Sequence, residues 1–223
     1  MLQPRTWSKS ILLGLVFCLK AFTVDAKDAP PFEPKITVGV HDRAAVPPGI
    51  LAEAERTASS IFRQAGLQVE LVNCGPGTEN VQAAVPCKTS QFPNCLQLTI
   101  MPGSTNFSRS TLGVAYLDPE GFGCYAEVFF EPAQDLPRQL LQVQLGMLLG
   151  HVMAHEIAHL LLGTNSHSDT GIMRAHWHPE DLELAKRSRL LFTPAQAGTM
   201  RERVARGLRA AANGAVAASS GTS

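Results

Sequence analysis

The sequence predicts an α+β fold: a twisted mixed β-sheet of about five strands with one antiparallel edge, packed on a long central helix and followed by C-terminal helices. Three observations predict it. Five short segments between residues 35 and 130 carry strand-like alternation or β-branched content. Between Arg138 and Glu156 no residue is charged, and apolar positions lie almost all round, which marks a buried helix. Two further helical stretches, each with a proline near its start, follow residue 178.

The first 26 residues read as an export signal. Arg5 and Lys9 precede the apolar run "ILLGLVFCL", and "VDA" ends at Ala26 with small residues suited to signal peptidase. The run is shorter than the about 20 residues a membrane span needs. Cys18 offers a lipid-anchor reading, which the bulky Phe17 before it disfavours. Removing Arg5, Lys9, Lys20 and Asp25 with this segment leaves 16 basic and 18 acidic residues, a balance that does not favour nucleic acid. Four cysteines remain, Cys74, Cys87, Cys95 and Cys124. In an exported chain they read as two disulfides, and three connectivities are open. A secreted or periplasmic location is therefore expected. No membrane span is expected, and oligomeric state is not legible.

The elements follow in order. "KITVGVH" (35–41) puts Ile36, Val38 and Val40 on one face of a strand. After Pro47-Pro48-Gly49 a helix runs through Ala65, with Ala54, Ala58, Ile61 and Phe62 at helical spacing and Gly66 as its left-handed stop. "LQVELVN" (67–73) is a second strand, and the strand–helix–strand order implies a parallel pair. Residues 74–94, rich in Gly, Pro, Asn and Cys, form a disulfide-tied loop. "CLQLTIM" (95–101), "LGVAYL" (112–117) and "CYAEVFF" (124–130) are strands; "DPEGFG" between the last two is turn chemistry for a hairpin-like return. The central helix spans Arg138–Leu162; its glutamines, His151 and two glycines oppose a membrane span. Helices are expected over 179–191 and 193–212, and a disordered tail over 213–223. The basic excess from Lys186 onward reads as a solvated helix face. One domain over 27–192 would then precede the C-terminal helix.

The central helix ends in "AHEIAHLLLGTNSHSDTGIM" (154–173). His155 and His159 are i and i+4, so both rings project from one face and can share a metal. Glu156 lies beside the first ligand, placed to act as a general base on a water polarised by zinc. A third ligand must come from elsewhere. His151 stands about 12 Å of helix rise from His159, too far for bonds of about 2.0 Å. It reads as a core histidine or one that supports the site. Gly163 can stop the helix and turn the chain back. His167 on the returning segment is then the expected third ligand, with Asp169 as the alternative. His176 and His178 read as surface or helix-entry residues, while Arg174 is a candidate to face the substrate.

This stretch resembles the metzincin metallopeptidases, with a tone nearest the matrixin-like branch. Their signature, H-E-x-x-H-x-x-G-x-x-H followed by a methionine turn, matches His155, Glu156 and His159 residue for residue, and Met173 falls at the turn methionine. The order of strands and helix upstream is similar too, over about residues 35–190. The chain departs from the pattern at two places. Leu160–Leu162 are three residues where the family has two, and so are Thr164–Ser166. One extra helical residue rotates the exit by about 100°. Ala175 stands where some metzincins carry a tyrosine. The resemblance implies an exported Zn2+-dependent metalloendopeptidase that binds an extended polypeptide along its edge strand. Little sequence separates Ala26 from Lys35, so the family's inhibitory propeptide with its cysteine switch is not expected.

Two other readings stay open. One is a non-catalytic, zinc-stabilised extracytoplasmic binding module, which would have no use for Glu156. The other is a zinc-dependent hydrolase of another substrate class. Small bacterial rRNA-processing endonucleases carry a similar three-histidine pattern, but they are cytoplasmic, unlike a chain with an export signal and paired cysteines.

Overall fold

The alternating and helical patterns assemble in a computed structural model that describes residues 33–75, 87, 92–139 and 144–220. The expected export signal therefore lies outside the described residues, as do most of the 74–94 loop and the end of the expected tail.

Five strands form one sheet: β1 (Lys35–Asp42), β2 (Gln68–Asn73), β3 (Gln97–Met101), β4 (Gly113–Tyr116) and β5 (Tyr125–Phe129). Their order is β2-β1-β3-β5-β4. Every neighbouring pair is parallel except β4–β5, so β4 is the antiparallel edge. Strand alternation buries Ile36, Val38, Val40, Leu98, Ile100, Ala126 and Val128 on one face.

That face is covered by helices. Helix α1 (Pro48–Gln64) begins with a proline at its first turn and buries Ala54, Ala58, Ile61 and Phe62. Gly66, at φ 73°, turns the chain into β2. Helix α2 (Phe130–Gln139) runs straight on from β5, burying Phe130 and Ala133. Helix α3 (Leu145–Leu162) is the central helix. The expected single helix over 138–162 is thus two, α2 and α3, with residues 140–143 outside the described set. The start of α2 went unforeseen because Phe130 continues the apolar strand run and Pro132 and Pro137 interrupt a helical pattern.

Helix α3 has the length and hydropathy of a membrane span, yet 83% of that window is buried inside this fold. It packs along α1 at very short range. A Cβ on Gly150 would stand 2.5 Å from Ala54 O, and one on Gly146 would meet the Glu53 side chain.

Helix α4 (Pro179–Lys186) stops five residues short of the expected end. Ser188, at φ 55°, reverses the chain, so Leu190 enters the core and Leu191 O accepts from Ile172 N. Helix α5 (Pro194–Ser220) continues past residue 212, where a tail was expected, through the alanine-rich stretch that favours helix. The disulfide pairs are Cys74–Cys87 and Cys95–Cys124. The second ties the entry of β3 to the entry of β5, and both pairings fit an oxidising location.

Candidate metal centre

Helix α3 presents His155, Glu156 and His159 from the middle of the core. His155 and His159 are buried, at 8% and 3% exposure, a depth that ordinary surface histidines do not reach. Gly163 ends the helix in the left-handed region (φ 71°, ψ 34°), its N–H donating to His159 O. Thr164 and Ser166 then bond to one another through Thr164 Oγ1, which shapes the short return to His167.

Each helix-borne imidazole is oriented through its far nitrogen. His155 Nδ1 donates to Ile172 O at 2.7 Å, and His159 Nδ1 donates to Thr164 O at 2.8 Å. A carbonyl oxygen can only accept, so both Nδ1 atoms carry the proton and both Nε2 atoms keep a free lone pair. Those Nε2 atoms stand 3.0 Å apart. Two lone pairs at that distance repel unless a cation lies between them.

His167 completes the group: one nitrogen from each of the three rings lies within 4.8 Å of the others. A tetrahedral zinc, with Zn–N of about 2.0–2.1 Å, needs nitrogens in just this neighbourhood. Three imidazoles are also a donor set that zinc accepts readily. Among the described residues this is the one such cluster, and the alternative ligand Asp169 is exposed and outside it.

Burial first, then the neighbouring histidines, hold the His155 imidazole down to about 3. His159 and His167 are lowered as well, each chiefly by burial. All three rings are therefore neutral near pH 7 and free to ligate. Burial alone pushes the Glu156 carboxyl up to about 8. A cation nearby would draw it back down.

Glu156 sits tight against the edge strand. A Cβ on Gly113 would stand 2.6 Å from Glu156 Cγ and 2.8 Å from Glu127 O, so only glycine lets β4 pass this close. The motif signals nothing about Gly113, whose role arises from a contact 43 positions distant in sequence.

The segment after His167 folds under the site. Gly171 (φ 75°) makes the turn, Ser168 N donates to Met173 O, and Met173 is fully buried. Trp177 Nε1 donates to the same Ile172 O that holds His155, and its ring meets His155 and His151 edge-on. His151 is buried and bonded through Nδ1 to Met147 O; it takes no part in the three-histidine cluster. Arg174 does line the cleft, but its guanidinium is engaged by Asp181 at 3.3 Å and by Asp169 O. His178 caps α4, and His176 is exposed at the cleft rim.

A cleft of about 730 Å³ opens over the cluster, with Gly113, Val152, His155, Glu156, His167 and Trp177 in its wall. That volume suits a bound peptide segment or another ligand of similar size.

The sequence matches no protein-family model, and no curated protein matches it. Among solved structures, one similar chain is a zinc-dependent peptidase from Methanocorpusculum labreanum. It is 18% identical with a TM-score of 0.47, covering 73% of this chain and 99% of that one. Another is archaemetzincin from Methanopyrus kandleri, 15% identical with a TM-score of 0.42, covering 77% and 96%.

Proposed function

We propose that this protein is an exported zinc-dependent endopeptidase, with His155, His159 and His167 as the metal ligands and Glu156 as the general base. The observation that carries this is the pair of Nδ1-anchored imidazoles whose Nε2 lone pairs meet at 3.0 Å, closed by His167 and flanked by a buried carboxyl. Zinc held there supplies a Lewis acid that polarises a carbonyl and acidifies water. Of the described carboxyls in the cleft wall, Asp135 and Glu156, Glu156 adjoins the cluster in sequence, and it would hold the proton that hydrolysis must move from water to the leaving amine. Its packing against Gly113 fixes where that proton is held.

The substrate is polypeptide, lying extended along the outer edge of β4. That edge is the end of the sheet, so its backbone groups can pair with an added strand beside Glu156. Met173 serves as the turn methionine that floors the site. Two disulfides support an extracytoplasmic location.

The deciding experiment measures bound metal in the purified mature protein and its cleavage of an unfolded protein, beside Glu156→Ala. The expected result is about one zinc in each protein and cleavage by the wild type alone. Zinc in both with equal cleavage, or none by either, would overturn the peptidase assignment in favour of a zinc-stabilised binding module.

A further inference from the structure

The lengthened spacing around Gly163 leaves open what holds the helix exit in place. The side chain against it comes from the C-terminal helix α5. A Cβ on Gly163 would stand 2.5 Å from the guanidinium carbon of Arg203, so that guanidinium lies flat on the glycine. The same group donates through Nη2 to Gly121 O at 3.0 Å and lies about 6 Å from the ring centres of both Phe92 and Phe122. Gly121 in turn rests on Gly163 O so closely that a Cβ there would overlap it.

Four segments thus meet at one cation: Phe92 ahead of β3, the end of α3, the β4–β5 turn, and α5. The charge sits at the C-terminal end of α3, where the helix dipole favours a cation. One residue beyond Gly163 is Thr164, whose carbonyl orients His159, and three further on is the ligand His167. Neighbouring Arg201 anchors the same helix by donating to Ala65 O at 2.6 Å.

We infer that Arg203 is a positioning residue of the metal centre, holding the Gly163 exit so that Thr164 O and His167 reach their places despite the longer turn. This rests on the three histidines being a metal centre. Arg203 is about 40 residues beyond the motif and touches no ligand, so its effect passes through the backbone of the exit. The planar fork matters as well as the charge, because it must face a glycine, a carbonyl and two rings together.

The test uses Arg203→Ala, Arg203→Lys and the exposed control Arg206→Ala on the full mature chain. Zinc affinity is read by chelator competition, ligand geometry by the absorption of bound Co2+, and folding by circular dichroism. We expect Arg206→Ala to match wild type and Arg203→Ala to lose roughly tenfold or more in zinc affinity, the scale seen when groups that orient metal ligands are removed. Its Co2+ spectrum should change, and Arg203→Lys should fall between. A purely structural Arg203 would lower thermal stability and leave the Co2+ spectrum alone. Folded Arg203→Ala within twofold of wild type, with an unchanged spectrum, overturns the inference. If Arg203→Ala does not fold, Arg203→Lys decides by the same threshold. A wild-type protein that binds no zinc overturns the metal centre itself, which is a separate result.

Discussion

At the scale of single residues, the centre depends on groups whose chemistry is ordinary but whose surroundings are not. Gly113 is the sharpest case, because its conformation is open to any residue while its contacts are not. Gly113→Ala should cut peptide cleavage at least tenfold with zinc content retained, since the added methyl meets Glu156 and not the histidines; metal analysis beside a cleavage assay checks this. Glu156 gives a pH test in metal-free protein. Its carboxyl keeps a proton until about pH 8 in the folded chain, whereas the unfolded chain releases it above about 4.5. The folded state therefore binds more protons between those values, so this group lowers stability as pH rises through the window. Glu156→Gln lacks the effect. Its melting temperature should exceed that of wild type by a margin that grows from pH 4.5 to 8 and then levels off, which thermal melts in chelator would show. A margin that shrinks with pH would contradict the buried carboxyl.

At the scale of elements, α3 is both the core and the carrier of His155, Glu156 and His159, so its packing and the placement of these groups are coupled. Gly150 lets it cross α1 at backbone range. Gly150→Ala gains helix propensity but forces the methyl onto Ala54 O and Thr57. We expect a net loss of about 1–3 kcal/mol, the usual cost of overpacking, measured by chemical denaturation. The start of α3 and the end of α4 were harder to read from sequence than their middles. Apolar periodicity locates a buried helix, but where α4 stops depends on Ser188 entering the left-handed region so that Leu190 can reach the core.

At the scale of the whole molecule, a disulfide holds together the entries of two neighbouring strands. The Cys95–Cys124 disulfide closes a loop of 29 residues. Chain-entropy reasoning assigns such a closure roughly 3–4 kcal/mol. Replacing both cysteines by alanine should lower the denaturation free energy by up to that amount. Zinc bound by the proposed ligands would add a link between α3 and the returning loop. Adding it to metal-free protein should raise the melting temperature in a concentration-dependent way, and His167→Ala should weaken that rise.

The sequence by itself determined the sheet, the central helix and the three helix-borne groups His155, Glu156 and His159. Alternation and helical spacing are local, and a motif within one helix places its side chains by geometry alone. It left open His167 against Asp169, the disulfide pairing, and the roles of Gly113, Ile172 O, Thr164 O and Arg203. Backbone carbonyls look the same in every residue, and a close approach across 43 positions leaves no mark on either strand or helix. Only folding, which brings the Gly163 turn, the edge strand and the C-terminal helix onto the end of α3, decided that an eight-residue step from His159 brings His167 within reach of the other two histidines.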